Sequence, residues 1–185
     1  MDLVPVLSGH ILATEMAVMR NANQAQAIVY VLAGGFVAGT LDITYACLFW
    51  GLMAGVSPER IFQSVASGLL GPASFKGGVA TAALGLFLHF FIAISMSIAY
   101  YLVARHWAAL RERPVSYGAA YGLVLYGVMN YIVVPLSAAG GGGSAGRLWI
   151  ILSIIVHMFL IGVPIALFAR RAFGPGAPTE QLDHA

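Results

Sequence analysis

Charge is what this sequence has least of. Asp, Glu, Lys and Arg make up 9% of its 185 residues, where a soluble domain carries about 25%. So few charges cannot cover a water-facing surface, which excludes an ordinary cytosolic enzyme and a disordered segment. The net charge of +2 is too small to attract a polyanion, so no nucleic-acid partner is expected. Cysteine occurs once, as Cys47, which excludes an intramolecular disulfide framework and a thiolate metal cluster. Apolar residues fill the space left, at 60% of the chain. That composition belongs to a polytopic helical membrane protein whose first partner is the lipid bilayer.

About 20 mostly apolar residues cross ~30 Å of hydrocarbon. Four stretches qualify, at 28–51, 79–104, 115–136 and 148–169. Neither Gly77–Ala104 nor Leu148–Ala169 contains an Asp, Glu, Lys or Arg, so these helices are apolar on every face. Trp50, Trp107 and Trp149 fall at span ends, where amphipathic rings prefer the interface. All formal charges lie outside the spans except that of Asp42. Arg20, Arg105, Arg111, Arg113, Arg170 and Arg171 fall on one side, against Arg60, Lys76 and Arg147 on the other. The positive-inside rule then places both termini in the cytoplasm. No cleaved signal peptide is expected, because Asp2 replaces the usual positive start and Glu15 interrupts the apolar run Ile11–Met19.

The expected organisation is a cytoplasmic or interfacial N-terminal helix over 1–27, a four-helix transmembrane domain over 28–170 and a cytoplasmic tail over 171–185. Between spans one and two, Ser57 is a good N-cap, Pro58 fits the first helical position and Glu59 favours the first turn. Ile61, Phe62, Val65 and Leu69 share one face of this helix, with Arg60, Gln63, Ser64 and Ser67 on the other. Gly71 and Pro72 end it. The predicted fold is therefore an all-α membrane protein, a four-transmembrane-helix bundle with a short interfacial amphipathic helix between spans 1 and 2.

In lipid, helices associate where small residues let backbones approach. Gly35 and Gly39, Gly51 and Gly55, and Gly118 and Gly122 each show four-residue spacing. Gly51/Gly55 and Gly118/Gly122 offer faces for a second copy or another membrane protein. On span one, Gly35, Gly39, Asp42 and Ala46 form one stripe; on span two, Ala82, Gly85, His89, Ala93 and Ser97 form another. Asp42 and His89 are thus expected to face protein. On span four, Ser153 precedes His157 by one turn, and Pro164 is expected to kink the helix.

Each span carries one strongly polar group: Asp42, His89, Asn130 and His157. All four fall within about 6 Å of the midplane, on its outer side. Three readings compete for them. They can hydrogen-bond across the bundle and fix helix register. They can form a proton or ion pathway, since intramembrane carboxylates and imidazoles are relay elements. His89 and His157 can hold a b-type haem as axial ligands, although no flanking pattern supports this. A zinc site on Asp42, His89 and His157 lacks the short local spacing of a metal motif, so neither a metal nor a resident cofactor is expected. Two further matches are discounted. Gly142–Gly146 fits the nucleophile-elbow string around Ser144, and Gly141, Gly143 and Gly146 fit a dinucleotide fingerprint. Both require a preceding β-strand. A short internal repeat pairs Gly39–Asp42 with Gly127–Asn130, and His89–Ile92 with His157–Leu160, as in repeat-built membrane folds.

Gly34–Gly39 leading into Asp42 and Tyr45, then Ser57–Gly68, Leu88–Phe90, Met129–Tyr131 and Pro135–Ser137 together resemble a group of small bacterial inner-membrane proteins, the YagU-like family. The likeness covers residues 30–170. It implies a multi-pass protein of the bacterial inner membrane and supplies no catalytic residues. The resulting expectation is a non-enzymatic scaffold or small membrane subunit, with proton or solute handling through Asp42 and His89 as the alternative.

Overall fold

The computed structural model describes residues 4–139 and 146–174. The glycine-rich motif around Ser144 and most of the tail lie outside the described residues. Helices α1 (Val4–Ala54), α2 (Pro58–Leu70), α3 (Gly78–His106), α4 (Ala109–Glu112), α5 (Pro114–Leu136) and α6 (Arg147–Ala172) follow one another along the chain. A 3-10 segment, Gly71–Lys76, joins α2 to α3. Among the described residues there is no strand. α1, α3, α5 and α6 are each long and apolar enough to cross a membrane. The chain is a multi-pass membrane protein, and its spans alternate in direction between an α2 end and an α4 end.

α1 is one helix of 51 residues, about 77 Å long at ~1.5 Å per residue. The expected junction near residue 27 is continuous helix. The cause is local: from Ile11 to Ala33 the chain has neither Pro nor Gly to stop it. α5 and α6 are less regular, with π turns at Met129–Val133 and His157–Gly162. Each π turn leads into a helical turn whose second residue is proline, Pro135 or Pro164. A proline supplies no N–H to the carbonyl one turn back, and a widened turn accommodates the gap.

The core is built from small side chains. Ala38, Ala104, Ala166 and Ala169 are buried together with Tyr100, Leu110, Leu125, Ile161 and Ile165, toward the α4 end. Large apolar side chains instead point outward, including Leu52, Val79, Phe87, Phe91, Leu123 and Ile151. Such an arrangement would aggregate in water but suits lipid, where close backbone approach holds helices together. Gly35 lies against the backbone of Ala93 and Ile94, and Gly39 against Ala93 and Phe90, which seats α1 on α3. Gly118 packs against Gly162 and Val163, and Gly122 against the His157 carbonyl. That face, expected to be free for self-association, joins α5 to α6 inside the chain. Gly55 has φ +64° and nothing near its missing side chain, so it serves the turn after α1; Gly51 touches only the Val56 carbonyl.

α2 has the expected caps: Ser57 Oγ accepts from the Arg60 N–H, and Gly71 ends the helix at φ +62°. Its faces are arranged differently from expectation. Ile61, Gln63, Ala66 and Ser67 are buried, while Leu69 and Leu70 are exposed. The reason is Gly85, a notch on α3 that admits the α2 backbone at Phe62 and Ala66. α2 docks there by its small residues. Gln63 reaches the Gly78 carbonyl at 3.1 Å, and the Ala138 N–H donates to Gly68 O at 2.9 Å, tying α2 to the end of α5. Arg60 lies over the Phe75 ring, 4.0 Å from its centroid.

Gly122→Ala and Gly162→Ala are expected to lower stability by about 1–3 kcal/mol each, because a methyl meets backbone across the helix contact. Gly127→Ala, with nothing within 4 Å, should leave the thermal midpoint in detergent unchanged. Equal midpoints for all three variants would refute the notch packing.

Candidate functional site

Counted along their helices from the α2 end, Asp42, His89 and His157 sit about 15–18 Å deep, and all three are partly buried. α1 brings Asp42 to this level, α3 brings His89, and α6 brings His157. Both imidazoles lie within electrostatic reach of the Asp42 carboxylate. Asn130 does not join them. It is exposed, and its amide donates to the Tyr126 carbonyl of its own helix at 2.9 Å. The π turn that contains Asn130 interrupts the regular ladder and gives the side chain this local partner.

Each histidine has one nitrogen committed to backbone. His89 Nε2 donates to Gly39 O at 2.8 Å, a bond from α3 to α1. His157 Nδ1 donates to Ser153 O at 2.8 Å, within α6. A carbonyl only accepts, so in each ring the bonded nitrogen carries a proton. His89 Nδ1 and His157 Nε2 make no hydrogen bond among the described residues. The carboxylate of Asp42 makes no hydrogen bond or ion pair among the described residues. Beside it, the hydroxyls of Tyr45 and Ser153 are neighbours, yet both are buried without a partner of hydrogen-bonding geometry. Buried polar groups normally find partners. Here a cluster of them has none.

Around this cluster the walls are aromatic. Tyr45 stacks on Trp149 with centroids 5.5 Å apart, and Phe49 and Trp50 lie 4.9 and 5.0 Å from the same indole. The two tryptophans expected at separate span ends thus meet at the α2 end. His157 meets Tyr126 edge-on at 5.4 Å, and His89 meets Phe90 edge-on at 5.5 Å. Below the layer, polar groups pair conventionally. Ser97 Oγ donates to Val31 O at 2.7 Å, Tyr121 to Met96 O at 2.8 Å and Tyr100 to Leu110 O at 3.1 Å.

His89 has its ε-nitrogen on Gly39, and His157 has its backbone carbonyl against Gly122. Among the described residues, no three His, Cys, Asp or Glu side chains converge on a metal position. The suggested repeat is likewise not matched by equivalent bonds: His89 reaches Gly39 on the neighbouring helix, whereas His157 bonds within its own. Tyr45 is a participant that residue type alone does not mark, and Ser153, noted one turn before His157, joins it. Their signal was positional, one turn from Asp42 and from His157 on the same helices. Gly162 was also missed as a packing residue, because it has no glycine partner at four-residue spacing. The chain matches no protein-family model, no curated protein and no solved structure.

Ser97→Ala is expected to cost about 0.6 kcal/mol, and at most ~1.7, as interhelical hydrogen bonds do in membranes. Asn130→Ala, which removes only a bond within one helix, should change the thermal midpoint less than Ser97→Ala does. A larger effect at Asn130 would place it in a contact that the monomer lacks.

Proposed function

We propose that this chain is a proton-handling protein of the bacterial inner membrane, with both termini in the cytoplasm, and that Asp42 is its proton-accepting group. The observation that carries the reading is the unpaired layer. The Asp42 carboxylate and one nitrogen of each histidine lie at one depth with no hydrogen-bond partner among the described residues. A layer serving only helix register would pair these groups with one another. A mobile proton supplies what they lack, since each of these groups can take it in turn and Tyr45 and Ser153 can rotate to pass it. The orientation is supported by Arg105, Arg111, Arg113, Arg170 and Arg171, all at the α4 end.

In proteoliposomes carrying an internal pH dye, Asp42→Asn is expected to reduce proton flux at least tenfold, with thermal stability retained. Asp42→Glu should preserve part of the flux, and Arg60→Gln, at the α2 end, should preserve all of it. Equal flux from the wild type and Asp42→Asn would remove Asp42 from the pathway.

A second reading, a scaffold or small subunit, has one observation in its favour. Arg20–Gln26 are exposed on every face of α1, a length of helix that the bundle does not cover. If that reading holds, deleting the first 26 residues abolishes co-purification with a membrane partner and leaves proton flux unchanged.

A further inference from the structure

At the α4 end, α1 runs past the bundle and leaves a crevice against the ends of α3 and α6. Met16, Met19, Arg20, Asn23, Gln24 and Ala27 line one wall. Tyr101 of α3 and Ala172 and Phe173 at the end of α6 form the other. Three features of this crevice point to one kind of ligand.

First, it sits at the boundary of the hydrocarbon. Ala172 ends the fourth span, and the Ala27–Val31–Ala172 contact closes the crevice floor. Arg20–Gln24 rise beyond it by one to two turns of α1. Trp107, 54% exposed, marks the same level on α3.

Second, its polar groups are those that bind an anion. Arg20 offers a planar set of donors, and the amides of Asn23 and Gln24 add more within the next turn of the helix. The Phe173 ring stacks on Tyr101 at 4.9 Å and carries the Arg111 guanidinium 4.8 Å from its centroid. Arg111 is only partly exposed, yet neither it nor Arg20 makes an ion pair or side-chain hydrogen bond among the described residues.

Third, the rim is apolar. Met16 and Met19 are 66% and 58% exposed beside Arg20. A soluble anion gains nothing from them, whereas the glycerol and upper acyl carbons of a lipid would cover them.

We infer that this crevice binds the phosphate headgroup of an anionic phospholipid, with Arg20 as the principal ligand, Asn23 and Gln24 beside it and Arg111 at the edge. The lipid would hold the long α1 helix against α3 and α6 at the membrane surface. The site is separate from the Asp42 layer, which lies in the other half of the bundle.

The test is native mass spectrometry of the full chain released from nanodiscs of equal parts phosphatidylglycerol and phosphatidylcholine. The wild type is expected to retain one phosphatidylglycerol in preference to phosphatidylcholine. Arg20→Gln should lower that retention at least fivefold, and Arg20→Gln with Arg111→Gln should abolish the preference. Arg60→Gln, at the opposite end, should behave as wild type. Arg20 is exposed, so its substitution leaves the fold intact, and a thermal melt in detergent verifies this. Equal retention by wild type and both Arg20 variants overturns the proposal. Displacement of the lipid by glycerol phosphate at equal concentration also overturns it, because the site would then be one for a soluble phosphate.

Discussion

The structure depends on backbone contact through glycine. In a bilayer there is no water to drive large side chains together, so helices hold where their backbones touch. Gly35 and Gly39 let α1 meet α3, and Gly118, Gly122 and Gly162 let α5 meet α6. Gly85 lets α2 lie across α3 at the membrane edge. The remaining features follow from these contacts. With small residues inside and Leu, Phe and Ile outside, the interior has little volume, and each polar group brought into it is held at a definite place.

Close packing also separates two kinds of polar group. Where a hydroxyl or imidazole faces a neighbouring backbone at the right distance it bonds to it, as Ser97 does to Val31 and His89 to Gly39. Such bonds contribute little energy individually but select one register. Around Asp42 the packing does not bring such groups to bonding geometry, and the Tyr45 and Ser153 hydroxyls stay buried without a partner. The layer is therefore distinguished by which groups lack partners rather than by its number of polar residues. One irregular helix supports it. The π turn beginning at His157 sets that side chain in a widened turn against Tyr126, and its proline, Pro164, is part of the reason the turn exists.

Much of this was legible in the sequence, in places where one local rule governs. The stripe Ala82, Gly85, Ala93, Ser97 is inward in the structure, because small residues at helical spacing have only one useful face in lipid. The caps of α2 follow from Ser57, Pro58 and Gly71 alone. Its orientation did not, because the amphipathic pattern was read against water. The docked face is decided by the Gly85 notch, which leaves Leu69 and Leu70 exposed. Asn130 was placed in the layer by residue type and depth, but rotation about the helix decides whether a group at that depth faces inward. Gly118 and Gly122 were identified as a contact face, while the identity of their partner, α6, required the arrangement of all four spans.

The sequence by itself determined the class, the four spans and the isolation of one carboxylate among them, since hydropathy and helix geometry act over single segments. Only the tertiary structure decided what Asp42 meets. Its neighbours His89 and His157, and Ser153 beside Tyr45, come from helices far apart in the chain. They share a level because glycines set how closely and in what register those helices pack. The crevice at Arg20 arises in the same way. A helix without a stop signal outruns its bundle, and the ends of its neighbours determine what the exposed length lies beside.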